Sequence, residues 1–132
     1  MKLRIQANSV RVRLTQGEVR TLAQGQGVEQ TTRFSPASAV VTRIETAAQT
    51  PSVAARFDGR RLTLSISLEL VRRWADTEEV GIEGEQSIGE DQWLHILIEK
   101  DFECLHSGKD QNIDVFPNPR RLSSANAIAD ST

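Results

Sequence analysis

The chain has a single cysteine, no tyrosine and an aromatic share of only 5%. One cysteine closes no internal disulfide and builds no four-cysteine zinc site, so a disulfide scaffold and a zinc ribbon are excluded. Long apolar runs are lacking as well. No stretch approaches the ~20 apolar residues of a membrane-spanning helix. The opening Met1-Lys2-Leu3-Arg4-Ile5-Gln6 alternates charge with apolarity, unlike the apolar centre of a signal peptide. Nor is there an excess of one charge, because 16 Lys and Arg against 18 Asp and Glu leave a net charge of −2. No global basic field draws the chain to nucleic acid or to an anionic membrane, and neither partner is expected. The expected compartment is the reducing cytoplasm. The familiar catalytic strings are missing too: Gly-x-Gly-x-x-Gly, the phosphate-binding loop with its lysine, Gly-x-Ser-x-Gly and His-Glu-x-x-His.

What is present is alternation at period two. Leu3-Arg4-Ile5, Val10-Arg11-Val12-Arg13-Leu14 and Leu62-Thr63-Leu64-Ser65-Ile66 each place apolar side chains on one face, the pattern of half-buried strands. Ala7-Asn8-Ser9 and Asp58-Gly59-Arg60-Arg61 separate such runs and read as hairpin turns. Thr15-Gln16-Gly17-Glu18 is a capping box that starts a helix with the stripe Val19, Leu22, Ala23, ending near Gly25. Val28 to Phe34 and Val40 to Ala47 follow as strands, divided by Ser35-Pro36-Ala37-Ser38.

Adding 52 to each position lays Val10, Val12 and Leu14 on Leu62, Leu64 and Ile66, Thr15 on Ser67, and Val19, Leu22 and Ala23 on Val71, Trp74 and Ala75. The same offset carries Val28 to Val80 and Ile44 to Ile96. The expected fold is α+β and predominantly antiparallel. About eight strands form two ββαββ repeats, closed as a barrel or folded as two layers, with two short helices. Residues 1–105 are read as one domain, with pseudo-repeats at about 2–47 and 54–99. Residues 106–132 are read as a tail anchored by Phe116 and expected to be disordered after about 120.

Four groups of residues are candidates for chemistry. Cys104 and His106 project from one face of an extended segment, the arrangement of a thiol activated by imidazole. A buried thiol beside an exposed histidine at a strand end is the alternative. His95, between Trp93 and Leu97 on one strand face, is a candidate base or ligand, or simply a packed histidine with one hydrogen bond. Glu83 and Glu85, two apart on one strand face, suit Mg²⁺ or Mn²⁺, and Lys2, Arg11 and Arg13 suit an anion. An eight-stranded barrel lined by these charges resembles the triphosphate tunnel enzymes, whose strands carry Glu-x-Glu and Arg-x-Arg around a metal-bound triphosphate. That family opens with Glu-x-Glu-x-Lys, however, where this chain has Lys2-Leu3-Arg4-Ile5-Gln6. The alternative for all of these charges is the solvated face of a sheet.

A second resemblance is broader. Met1 to Ile5, Asn8 to Val19, Val80 to Glu83, Leu94 to Leu105 and Phe116-Pro117-Asn118-Pro119 together resemble a family of small, uncharacterised bacterial proteins, from residue 1 to about 119. That resemblance implies a free-standing bacterial cytosolic protein. It transfers no catalytic residue, because the family has no assigned activity, and it marks Glu99 to Cys104 and Phe116 to Pro119 as the recognisable strings. The function expected from the sequence is a non-catalytic module, a monomer or a homodimer, that binds a small molecule or a protein partner and takes no cofactor. A metal-assisted enzyme or sensor acting on a phosphorylated anion is the alternative.

Overall fold

The computed structural model describes residues 1–48, 52–102 and 114–117. In chain order the elements are β1 (Lys2–Gln6), β2 (Ser9–Leu14), α1 (Gln16–Ala23), β3 (Val28–Ser35), β4 (Ser38–Ala47), β5 (Val53–Phe57), β6 (Arg61–Ser67), α2 (Leu68–Asp76), β7 (Gly81–Gly89) and β8 (Gln92–Lys100). Alternation decides which strand faces go inward. Val10, Val12 and Leu14 are buried in β2, as are Leu62, Leu64 and Ile66 in β6, and Ile96 and Ile98 in β8.

The helices start and stop for local reasons. Thr15 accepts from the Glu18 N–H while the Glu18 carboxylate accepts from the Thr15 N–H at 3.0 Å, so the capping box is complete. Gly25, at φ +83°, takes the left-handed conformation that ends α1, and its N–H donates to the Leu22 carbonyl. Ser67 occupies the equivalent cap of α2 but makes no side-chain cap bond. The α2 helix depends on packing instead, with Val71 and Trp74 fully buried and the Trp74 indole N–H donating to the Val80 carbonyl.

Two mixed four-stranded sheets result, in the orders β1-β2-β8-β7 and β3-β4-β6-β5. Each contains one hairpin from each half of the chain, and the helices cross from one sheet to the other. Exchanging the halves converts one strand order into the other. The outer pairs are antiparallel, but the central pairs, β2 with β8 and β4 with β6, are parallel. The expectation of a predominantly antiparallel sheet is therefore corrected at the middle of each sheet. Short connections did not forbid these pairs, because β5 intervenes between β4 and β6 and most of the chain lies between β2 and β8. The barrel is also corrected, since neither sheet closes on itself and one apolar core is shared by both sheets and both helices.

The single offset of 52 holds only in part. Lys2 faces Arg13 in the β1–β2 hairpin and, 52 positions on, Ala54 faces Ser65 in β5–β6. Val28 faces Ile44 in β3–β4, but its counterpart is Ile82 facing Ile98, 54 positions on. The parallel pairs agree with that change, because Val10 faces Ile96 where Leu62 faces Thr42. Two extra residues before the last hairpin thus leave every inward position inward, since a shift of two preserves strand parity.

The sheets meet at a seam between β5 and β7. Gln86 of β7 receives the Ala55 N–H at 2.7 Å and returns its own amide N–H to the Ala55 carbonyl at 2.9 Å. A side-chain amide thus takes the place of a neighbouring strand. Gly84 permits the approach, because a Cβ there would lie 3.3 Å from the Val53 Cβ. At the other end of the core, the Lys100 ammonium donates to the Thr77 carbonyl at the C-terminus of α2 (2.7 Å) and lies 5.4 Å from the centre of the Phe116 ring. Phe116 is the anchor expected of it. Its N–H donates to the Asp101 carbonyl, and its ring lies 5.9 Å from that of Phe102.

Two stability predictions follow from these contacts. Gln86→Leu strips both partners from the Ala55 peptide groups and should cost about 1–3 kcal/mol, read as a lower urea midpoint at unchanged slope. Lys100 is held below the ordinary lysine pKa by burial, opposed by Glu79 and Glu78. The folded chain therefore loses this proton before the unfolded chain does. The group's contribution to stability should rise with pH between its folded and unfolded values, and Lys100→Met should flatten that alkaline rise in a pH series of urea midpoints.

Candidate functional site

The outer face of the β1-β2-β8-β7 sheet collects most of the sequence candidates, because residues that alternate with the core residues share it. Cross-strand register arranges them in rows: Lys2, Arg13, Glu99 and Gly81; Arg4, Arg11, Leu97 and Glu83; Gln6, Ser9, His95 and Glu85. Charge is segregated along these rows, with cations on β1 and β2 and carboxylates on β8 and β7.

At the cationic end, Lys2 lies directly opposite Arg13 and Arg4 directly opposite Arg11. Like charges facing each other across a ladder repel. Two carboxylates offset part of this. Glu99 places Oε1 2.8 Å from Nε of Arg11 and 3.8 Å from Nε of Arg13, while Lys2 reaches the buried Asp101 at 3.1 Å. Oε1 of Glu99 is buried without an aligned hydrogen bond, so charge alone holds it between the two guanidiniums. Arg4 is exposed and has no ion pair among the described residues. Lys2, Leu3, Arg4, Arg11 and Arg13 line a shallow depression of about 100 Å³. That is well below the roughly 300 Å³ where small-molecule pockets begin, and it fits one anionic group rather than a whole ligand.

At the anionic end, His95 stands between two carboxylates, with Nε2 2.8 Å from Glu83 and Nδ1 3.3 Å from Glu85. The two glutamates approach opposite ring nitrogens and do not converge with the imidazole on a common point. Among the described residues no group of three His, Cys, Asp or Glu is placed to hold a metal ion. Cys104 and His106 lie outside the described residues. The interior that a tunnel enzyme would fill with Lys2, Arg11, Arg13, Glu83 and Glu85 is apolar here, and all five sit on the outer face. The likeness to the tunnel enzymes fails on this geometry.

The other sheet shows that segregation is not inevitable. On its outer face Arg43 lies between Glu29 (3.3 Å) and Glu45 (3.2 Å), and Arg56 and Arg61 approach the same two carboxylates, so opposite charges interleave. Sequence reasoning did not identify Glu99 as the counterion of Arg11 and Arg13. The signal for the facing cations was available in the two-residue Ala7-Asn8 turn, which fixes the β1–β2 register.

These features define a class: an α+β protein of two mixed sheets built from exchanged hairpins, with a charge-segregated outer face. The chain belongs to a family of unknown function, DUF7009, whose match spans residues 1–120. No curated protein and no solved structure matches it. No described helix is long and apolar enough to cross a membrane.

Glu99→Gln should leave four cations with only Asp101 among them. The variant is expected to lose on the order of 1 kcal/mol of stability at low ionic strength and to recover most of it at high salt, read from thermal midpoints across a salt series.

Proposed function

We propose that this chain is a non-catalytic module that recognises an anionic group, a phosphate or a carboxylate, carried by a small molecule or a protein. The cationic end of the β1–β2 hairpin is its contact surface. One observation carries the reading: Lys2 with Arg13 and Arg4 with Arg11 form two like-charge pairs in direct register, on a hairpin whose two strands carry no carboxylate of their own and take their counterions, Glu99 and Asp101, from the end of β8 and the residue after it. A bound anion relieves that repulsion and gains charge-assisted hydrogen bonds from the guanidinium groups. In this reading Arg4 and Arg11 bind the anion, while Glu99 and Asp101 keep the site folded when it is empty. The size of the depression favours a single group projecting from a larger partner.

The test is a thermal-shift titration with inorganic phosphate, tripolyphosphate and citrate, each with and without Mg²⁺, on the wild type and on Arg4→Gln. An anion at ~100 times its dissociation constant adds about 2.7 kcal/mol, a shift of several degrees. Arg4→Gln should be more stable than wild type by about 0.2–1 kcal/mol without anion and should lose most of the anion-induced shift. Equal shifts in both proteins, or none in either, would remove the proposal. A shift that requires Mg²⁺ and disappears in Glu85→Gln would replace it with a metal-assisted reading.

A further inference from the structure

The four sheet edges are not alike. The edges of β5 and β7 face each other across the seam, where Gln86 occupies the peptide groups of Ala55. The β1 edge is only five residues long and carries Lys2 and Arg4, the charged side chains that discourage strand addition. β3 has eight residues, pairs among the described residues with β4 alone, and is exposed from Thr31 to its end. It contains no lysine and no proline, and its threonines favour the extended conformation. The one irregularity, a register shift between Arg33 and Ser35, falls at its tip.

The strand is also complementary to itself. Its two charged residues, Glu29 and Arg33, stand two positions either side of Thr31 and share the outer face. We propose that β3 pairs antiparallel with β3 of a second copy, Thr31 facing Thr31 on the twofold axis, so that the two four-stranded sheets become one of eight strands. This register sets each Glu29 opposite Arg33 of the other copy and each Gln30 opposite Thr32. It also brings Phe34, which is 72% exposed, across from Val28, which packs against the core. Slipping the pairing by two residues loses both ion pairs, and slipping by four sets Glu29 against Glu29 or Arg33 against Arg33. Arg33 has no ion pair among the described residues, so the contact gives it one, while Glu29 keeps Arg43 and Arg61 beside it. A strand pair of this length is smaller than a standard interface, so the dimer is weak and concentration-dependent.

Sedimentation velocity of the full chain from ~1 µM to ~1 mM tests the proposal. The wild type should shift from monomer to dimer across that range. Thr31→Lys sets lysine against lysine on the axis, Arg33→Glu sets glutamate against Glu29, and each should weaken association by about tenfold or more. Gln6→Lys on the β1 edge should leave it unchanged. Thermal melts in dilute solution check that the variants fold, and high salt should restore part of the association of Arg33→Glu by screening the repulsion. A wild type that stays monomeric throughout, or a dimer that neither substitution weakens, overturns the proposal.

Discussion

The parallel pairing of β2 with β8, and of β4 with β6, is the constraint from which the remaining features descend. Each sheet acquires its central ladder only when hairpins from opposite halves of the chain come together. The helices must then cross between sheets, which lays α1 and α2 against each other and against a core no single half can complete. The same exchange sets β5 beside β7, where Gln86 closes the seam with a side-chain amide, and aligns the cations of β1 and β2 with the carboxylates of β8 and β7. Loss of the central ladders would remove the core, the seam and the charged face together.

Much of this was legible locally. Alternation in Val10 to Leu14 and Leu62 to Ile66 identified strands and their buried faces, because hydrophobic burial acts residue by residue along a strand. Thr15 and Glu18 announced α1, and the stripe of Val71, Trp74 and Ala75 announced α2. Strand direction was less legible. Alternation is the same whether a neighbour runs parallel or antiparallel, so nothing in Ser9 to Leu14 told that β8 would run alongside it. The two-residue change of offset was hidden for the same reason, since a shift of two swaps Ile96 for Ile98 without altering the pattern. The clamp by Gln86 was beyond reach, because one glutamine among exposed polar residues has no local signature.

The candidate site was half legible. That Lys2, Arg11, Arg13, Glu83 and Glu85 belong on alternating strand faces was a matter of parity, and parity was correct. Inside or outside was not decidable from parity, and it decided the chemistry: a lumen lined with charge describes a catalytic tunnel, and here the charges lie on the outer face of an apolar core. Comparison of the two sheets gives the outer face its meaning. One sheet interleaves Arg43, Arg56 and Arg61 with Glu29 and Glu45 and neutralises itself. The other concentrates cations on a single hairpin and draws their counterions, Glu99 and Asp101, from outside it.

The exchanged hairpins also bear on how the chain is made. Ser9 pairs with His95, so β2 emerges from the ribosome 86 residues before its partner. At bacterial to eukaryotic synthesis rates of about 5–20 residues per second, that gap lasts on the order of 4–17 s. Throughout it the ladder edge of β2 that β8 will occupy stays open, and the core that Val10, Val12 and Leu14 share with Ile44, Leu64 and Trp74 lacks Ile96 and Ile98. A nascent chain of this design is therefore exposed to chaperones and to other nascent chains until its final hairpin arrives.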